Sequence, residues 1–146
     1  MKNLFALFAL LISLTLTAQD NVYVKKGVAI EGYDVTEYFN NHALKGMAMY
    51  QTTYEGNKYY FVNEKNKSKF EANPSAYIPA YGGYCAYAIG EKSKKVSIDP
   101  ETFELKDGKV YLFYNSWGTN TLDLWNENNP EELRKKADLN WEKLKK

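Results

Sequence analysis

The stretch Ile78-Pro79-Ala80-Tyr81-Gly82-Gly83-Tyr84-Cys85-Ala86-Tyr87 holds the chain's single cysteine, set among three tyrosines, a glycine pair and a proline. Proline fixes φ and ends whatever precedes it, while Gly82-Gly83 admits left-handed or closely approached backbone. From Tyr84 onward the residues (Tyr-Cys-Ala-Tyr-Ala-Ile) tolerate a helix. A thiol in the first turn of a helix sits at the positive end of its dipole, which favours thiolate over thiol. Any chemistry of this chain is therefore sought first at Cys85.

Outward from that stretch the sequence reads as short alternating elements. Toward the N-terminus, Pro74 opens a short turn carrying Ala76 and Tyr77, and Asn63 caps a helix from Glu64 to about Asn73. Met49–Tyr54 and Lys58–Val62 flank Glu55-Gly56-Asn57, a hairpin signal. Asp34 caps a short helix over Val35-Thr36-Glu37-Tyr38-Phe39, and Val22 to Ile30 is a short, partly alternating run turned by Glu31-Gly32. Toward the C-terminus, Gly90 to Lys95 reads as a charged surface link, and Val96-Ser97-Ile98 as a strand ended by Asp99-Pro100. Phe103-Glu104-Leu105 and Val110–Tyr114 bracket Asp107-Gly108, a second hairpin. Trp117 to Trp125 reads as helical. Asn129-Pro130-Glu131-Glu132 opens a last helix with Leu133, Ala137, Trp141 and Leu144 on one stripe. The expected fold is α+β: a small antiparallel sheet of two hairpins, several short helices and a C-terminal helix.

Residues 1–18, with Lys2 ahead of an apolar run from Leu4 to Leu16 and a close at Thr17-Ala18, read as a cleaved secretory signal. Residues 19–146 then form a single domain, exported to the periplasm or beyond, with no membrane anchor after cleavage. Lysine and arginine total 19 against 18 aspartates and glutamates, so nothing in the charge points to nucleic acid. One cysteine in an exported chain makes no internal disulfide. With thirteen tyrosines, seven phenylalanines and three tryptophans, the core is expected to be built on rings.

The chain resembles the YHS-domain proteins, and more closely the exported subfamily of YHS domain-containing (seleno)proteins. The resemblance runs from Gly32-Tyr33-Asp34 and Tyr38-Phe39 through Tyr59-Tyr60-Phe61, Asn66, Phe70, Asn73-Pro74, Tyr77 and Pro79. It continues over Tyr81-Gly82-Gly83-Tyr84-Cys85-Ala86, Asp99-Pro100, Gly108-Lys109-Val110-Tyr111-Leu112, Trp125, Ala137-Asp138 and Trp141. The resemblance implies an association with metal. The type pattern, however, places cysteines where this chain has Val62 and Asn66, and a histidine where it reads Asn63-Glu64-Lys65. The usual metal site is absent. Selenocysteine in some relatives implies redox or metal-ligand chemistry at the position of Cys85.

Three chemistries are open to these residues, each beside a structural alternative. Cys85 is a candidate redox thiol, although no resolving cysteine exists; otherwise it is a small buried hydrophobe. His42, Met47 and Met49, joined by Cys85, would make a soft, sulfur-rich set suited to copper(I); otherwise the methionines pack and His42 is solvated. Tyr33, Tyr38, Tyr81, Tyr84 and Tyr87 could gather around the glycine turn with Asp34 as polar partner; otherwise these rings are core. Ligand-binding candidates on this reading are Asp34, Tyr81, Gly82, Gly83 and Tyr84. Asp34, Asp99 and Asp138 serve as helix cap, turn residue and last-helix polar contact, with Asp138 able to tie the last helix to the cysteine segment. The expected role is non-enzymatic: binding a metal ion (copper among them) or a small ligand near Cys85. The alternatives are a redox thiol protein and a structural or partner-binding domain.

Overall fold

The computed structural model describes residues 21–145, so the proposed leader lies outside the described residues. The first element is a minimal hairpin, β1 (Val24–Lys25) and β2 (Val28–Ala29), turned by Lys26-Gly27. Irregular turns at Ile30–Gly32 and Glu37–Asn40 lead to β3 (Met47–Tyr54), which pairs antiparallel with β4 (Asn57–Phe61). A parallel contact of Val28 with Lys58 joins the hairpins into one sheet, in the order β1-β2-β4-β3. Helix α1 (Glu64–Ala72) follows, its first turn closed by the Asn63 side chain accepting from the Asn66 amide at 2.8 Å. Phe70 on α1 meets Tyr54, Tyr59 and Phe61 of the sheet at ring-centroid distances of 6.0, 4.7 and 5.2 Å.

The second half begins with α2 (Ala86–Lys92), then the hairpin β5 (Asp99–Lys106) and β6 (Lys109–Phe113). A two-residue-per-strand hairpin, β7 (Asn115–Ser116) and β8 (Thr119–Asn120), leads into α3 (Thr121–Glu127) and α4 (Pro130–Leu144). Asn129 caps α4 through the Glu132 amide, with Pro130 in the first turn as the sequence indicates. The expected α+β class is what the structure shows, and the buried residues include Trp125, Tyr38, Tyr59, Phe61, Phe70 and Phe113.

All four hairpins among the described residues turn on a residue-glycine pair with both φ values positive. This geometry matches the right-handed twist of the flanking strands. Glu55-Gly56 and Asp107-Gly108 were legible as such turns; Lys26-Gly27 and Trp117-Gly118 lead with residues that rarely occupy that backbone region.

Three expectations are corrected. Val96-Ser97-Ile98 is not a strand: Val96 accepts from the Cys85 amide at 3.0 Å, and the strand starts at Asp99, the residue expected to end one. Trp117 is not helical. It stands at the tip of the β7–β8 hairpin, 95% exposed, and the helix begins four residues later. Gly90 does not open a surface link: it lies within α2, buried against α4.

At Gly90 a side chain is excluded by the neighbouring backbone. A Cβ there would sit 2.8 Å from the Leu133 carbonyl oxygen and 3.5 Å from the Ala137 Cβ. Asn140 reinforces the crossing by donating to the Ile89 carbonyl at 2.8 Å. Gly90→Ala is therefore expected to lower stability despite the alanine's better helix propensity. Overpacking at roughly 1–3 kcal/mol exceeds a propensity gain of about 1 kcal/mol. Chemical denaturation checks this, with a net loss of up to about 2 kcal/mol expected.

Candidate functional site

The Asp34 carboxylate is fully buried and accepts four hydrogen bonds. The amide and hydroxyl of Thr36 donate to Oδ1 at 2.9 and 2.7 Å. The Val62 amide and the Asn66 side-chain amide both donate to Oδ2 at 2.9 Å. A charge can be carried in the interior when donors replace its hydration in this way. Asn66 also donates to Glu37 Oε1 at 2.6 Å, so its nitrogen bridges two carboxylates. Burial pushes the Glu37 carboxyl up, but bonds from Asn66, Asn40 and His42 outweigh it and hold the group below the ordinary range.

Asp34, a sequence candidate for ligand binding, is thus saturated by its own chain. The two positions where the type pattern has cysteine are here Val62 and Asn66, and both donate to that carboxylate. Neither offers a metal a side-chain donor of the expected kind. Among the described residues no group of three or more His, Cys, Asp or Glu is placed to hold a metal ion.

The copper set is not brought together. Met47 and Met49 are exposed, the latter by 73%, at the irregular start of β3 between its Met47 and Gln51 pairings. His42 lies in an exposed loop with Nδ1 3.6 Å from Glu37. Cys85 is elsewhere, wholly buried at the N-terminal boundary of α2. Its sulfur accepts from the Tyr114 amide at 3.3 Å and lies 3.3 Å from the Thr121 hydroxyl. That hydroxyl donates its one hydrogen to the Tyr114 carbonyl at 2.7 Å, so Cys85 is the donor toward Thr121. Both hydrogen-bonding directions of the thiol are engaged within the fold.

The glycine pair serves the chain itself. Tyr81 and Gly82 adopt φ of 58° and 62°, and Gly82 accepts from the Tyr23 amide at 2.9 Å. A Cβ on Gly82 would overlap the Asn21 carbonyl, and one on Gly83 would overlap Ile30. The close approach that glycine permits is filled by the N-terminal segment, so these residues have no free face for a ligand.

The five tyrosines disperse instead of converging. Tyr33 reaches Glu101, and Tyr38 is buried with its hydroxyl donating to the Pro100 carbonyl at 2.7 Å. Tyr84 packs edge-on to Tyr23 and against Trp141, with Lys95 over its ring. Tyr87 lies beside Cys85 and Tyr114 at a smaller cavity. Tyr81 alone of the sequence-named ligand residues faces a large cleft.

That cleft encloses about 460 Å³ between the Ser75–Tyr81 segment, the β5–β6 turn and α4. It is lined by the rings of Tyr81, Tyr111 and Trp141, by Asp138 and Glu142 from successive turns of α4, and by Lys109. The Tyr81 hydroxyl donates to Asp138 Oδ1 at 2.8 Å, which realises the suggested tie between the last helix and the cysteine segment. Burial, followed by the Asp138 hydrogen bond and charge, raises the Tyr81 phenol far above its usual range. Tyr81 is a fixed donor and not a base. Tyr111, Trp141 and Glu142 were not singled out as site residues, because their approach depends on how α4 lies against α2 and the Ala80–Gly83 turn.

Asp34→Ala would strand four donor hydrogens drawn from three segments of the chain. At roughly 1–3 kcal/mol for each buried unsatisfied group, with overlap between them, the expected loss is about 3–5 kcal/mol. Urea unfolding of the variant measures it.

Comparison with known proteins finds a match in part of the chain. No curated protein and no solved structure matches it. Residues 35–81 match the model of the YHS domain, a stretch that takes in Val62, Asn66 and Tyr81 and stops short of Cys85 and of α4.

Proposed function

We propose that this chain is a non-enzymatic binding protein, exported by its leader-like first 18 residues, that holds a small polar ligand in the Tyr81–Asp138 cleft. One observation carries the reading: a hydrogen-bonded phenol and carboxylate line a cleft of about 460 Å³. That volume falls within the roughly 300–1,000 Å³ of small-molecule sites, and aromatic walls with a few convergent polar groups are their usual make-up. Tyr81 engages one oxygen of Asp138, and the Asp138 carboxylate lines the cleft together with Glu142 one turn further along. An amine or a hydroxyl-bearing molecule suits such acceptors.

A binding role is favoured over catalysis by what lines the cleft. It contains neither the histidine nor the cysteine of the chain, and its buried phenol is held protonated. A metal at the family's usual position is not part of this reading, because Val62 and Asn66 serve Asp34 instead.

Ethanolamine and glucose serve as amine and polyol probes, followed through backbone amide shifts of the isotopically labelled protein. The expected result is saturable shifts confined to residues 75–81, 108–111 and 138–142 for one of them. Asp138→Asn keeps an acceptor for Tyr81 while removing the charge, and should weaken amine binding by about tenfold or more. Absence of saturable shifts with both probes, or shifts centred elsewhere, would overturn the proposal.

A further inference from the structure

A second cavity, of about 220 Å³, lies on the other side of the cysteine segment. It is walled by Ala88 on α2, by Val96, by Tyr114, and by Thr121 and Leu124 on α3, with Cys85 at its inner end. The polar atoms at that end are already partnered: the thiol with Thr121 and the Tyr114 amide, the Thr121 hydroxyl with the Tyr114 carbonyl. Tyr87 and Thr119 complete the lining, and the surface a ligand meets there is mainly apolar. At the rim stands Lys92, the last residue of α2, exposed and the one charged side chain among those lining the cavity. Glu91 is the nearby acid, close enough to act on Tyr87, but it is not among the lining residues.

We propose that this cavity binds a short aliphatic carboxylic acid, its chain directed toward Cys85 and its carboxylate at Lys92. The size excludes larger occupants, since about 220 Å³ falls below the range of drug-sized pockets. An apolar interior with one cation at its mouth selects an amphiphile bearing a single negative charge. The site is separate from the Tyr81–Asp138 cleft and shares no lining residue with it.

Octanoate, methyl octanoate and octylamine, each below its aggregation concentration, are the probes for calorimetry on the full chain. Alkylation of Cys85 by iodoacetamide is the second readout. Cys85 is fully buried, so reagent reaches it through this cavity or by unfolding. Saturating octanoate is expected to slow alkylation by about tenfold or more, with methyl octanoate and octylamine binding more weakly. Lys92→Glu alters only an exposed position and should reverse the order, octylamine then exceeding octanoate. Ala88→Leu should abolish binding of all three at an unchanged melting cooperativity. Asp138→Asn should leave octanoate affinity as it is, so failure of the cleft proposal and failure of this one are distinguishable. Octanoate that neither binds nor protects Cys85 would overturn the site. An order of affinities that Lys92→Glu leaves unchanged would overturn the role of the carboxylate.

Discussion

A buried carboxylate must be solvated by its own protein, and the Asp34 side chain meets that requirement with donors drawn from three places in the chain. Thr36 supplies two from the following turn, Val62 one from the end of β4, and Asn66 one from the first turn of α1. Removing a charge from water without such partners costs several kcal/mol, so the three segments are constrained to meet. With α1 so anchored, Phe70 is placed over Tyr59 and Phe61, and the chain leaves α1 toward Pro74 in a defined direction. The residues matched to the YHS domain, 35–81, fold around this carboxylate.

Beyond that point the fold is organised by close backbone approach. Gly82 and Gly83 let the segment before Cys85 lie against Asn21 and Ile30, and Gly90 lets α2 lie against α4. The cysteine segment becomes a partition. Tyr81 looks toward α4 and the larger cleft, while Cys85, four residues on, looks toward α3 and the smaller cavity. The sulfur closes the inner end of that cavity and bonds to Thr121 and Tyr114, which joins α2 to the start of α3.

Local signals were the legible part of the sequence. Asn63 and Asn129 announce helix starts because a short acceptor at that place serves free amides. Glu55-Gly56 and Asp107-Gly108 announce hairpins because glycine accepts the second left-handed position. Trp117-Gly118 makes the same turn, but a tryptophan so placed, and so exposed, reads as core or helix until the backbone is seen. Val96–Ile98 has strand composition, yet its backbone serves the Cys85 amide at Val96 and the Tyr23 side chain at Ile98. Gly90 looked like a break because glycine ends helices more often than it lets two of them touch. The sequence grouped five tyrosines with Asp34 around the glycine turn, and of these Tyr81 alone lines the larger cleft. Asp138, Tyr111 and Trp141 line it with Tyr81. Such membership depends on contacts between residues 81 and 138, which no local pattern encodes.

The central claim is that a carboxylate–amide network centred on Asp34, and no metal ion, holds residues 34–66 together. Thermal unfolding of the purified chain before and after exhaustive chelation tests it most directly. The account predicts one melting temperature in both states, unmoved by adding back copper or zinc. A melting temperature that falls on chelation and recovers with either metal would contradict it.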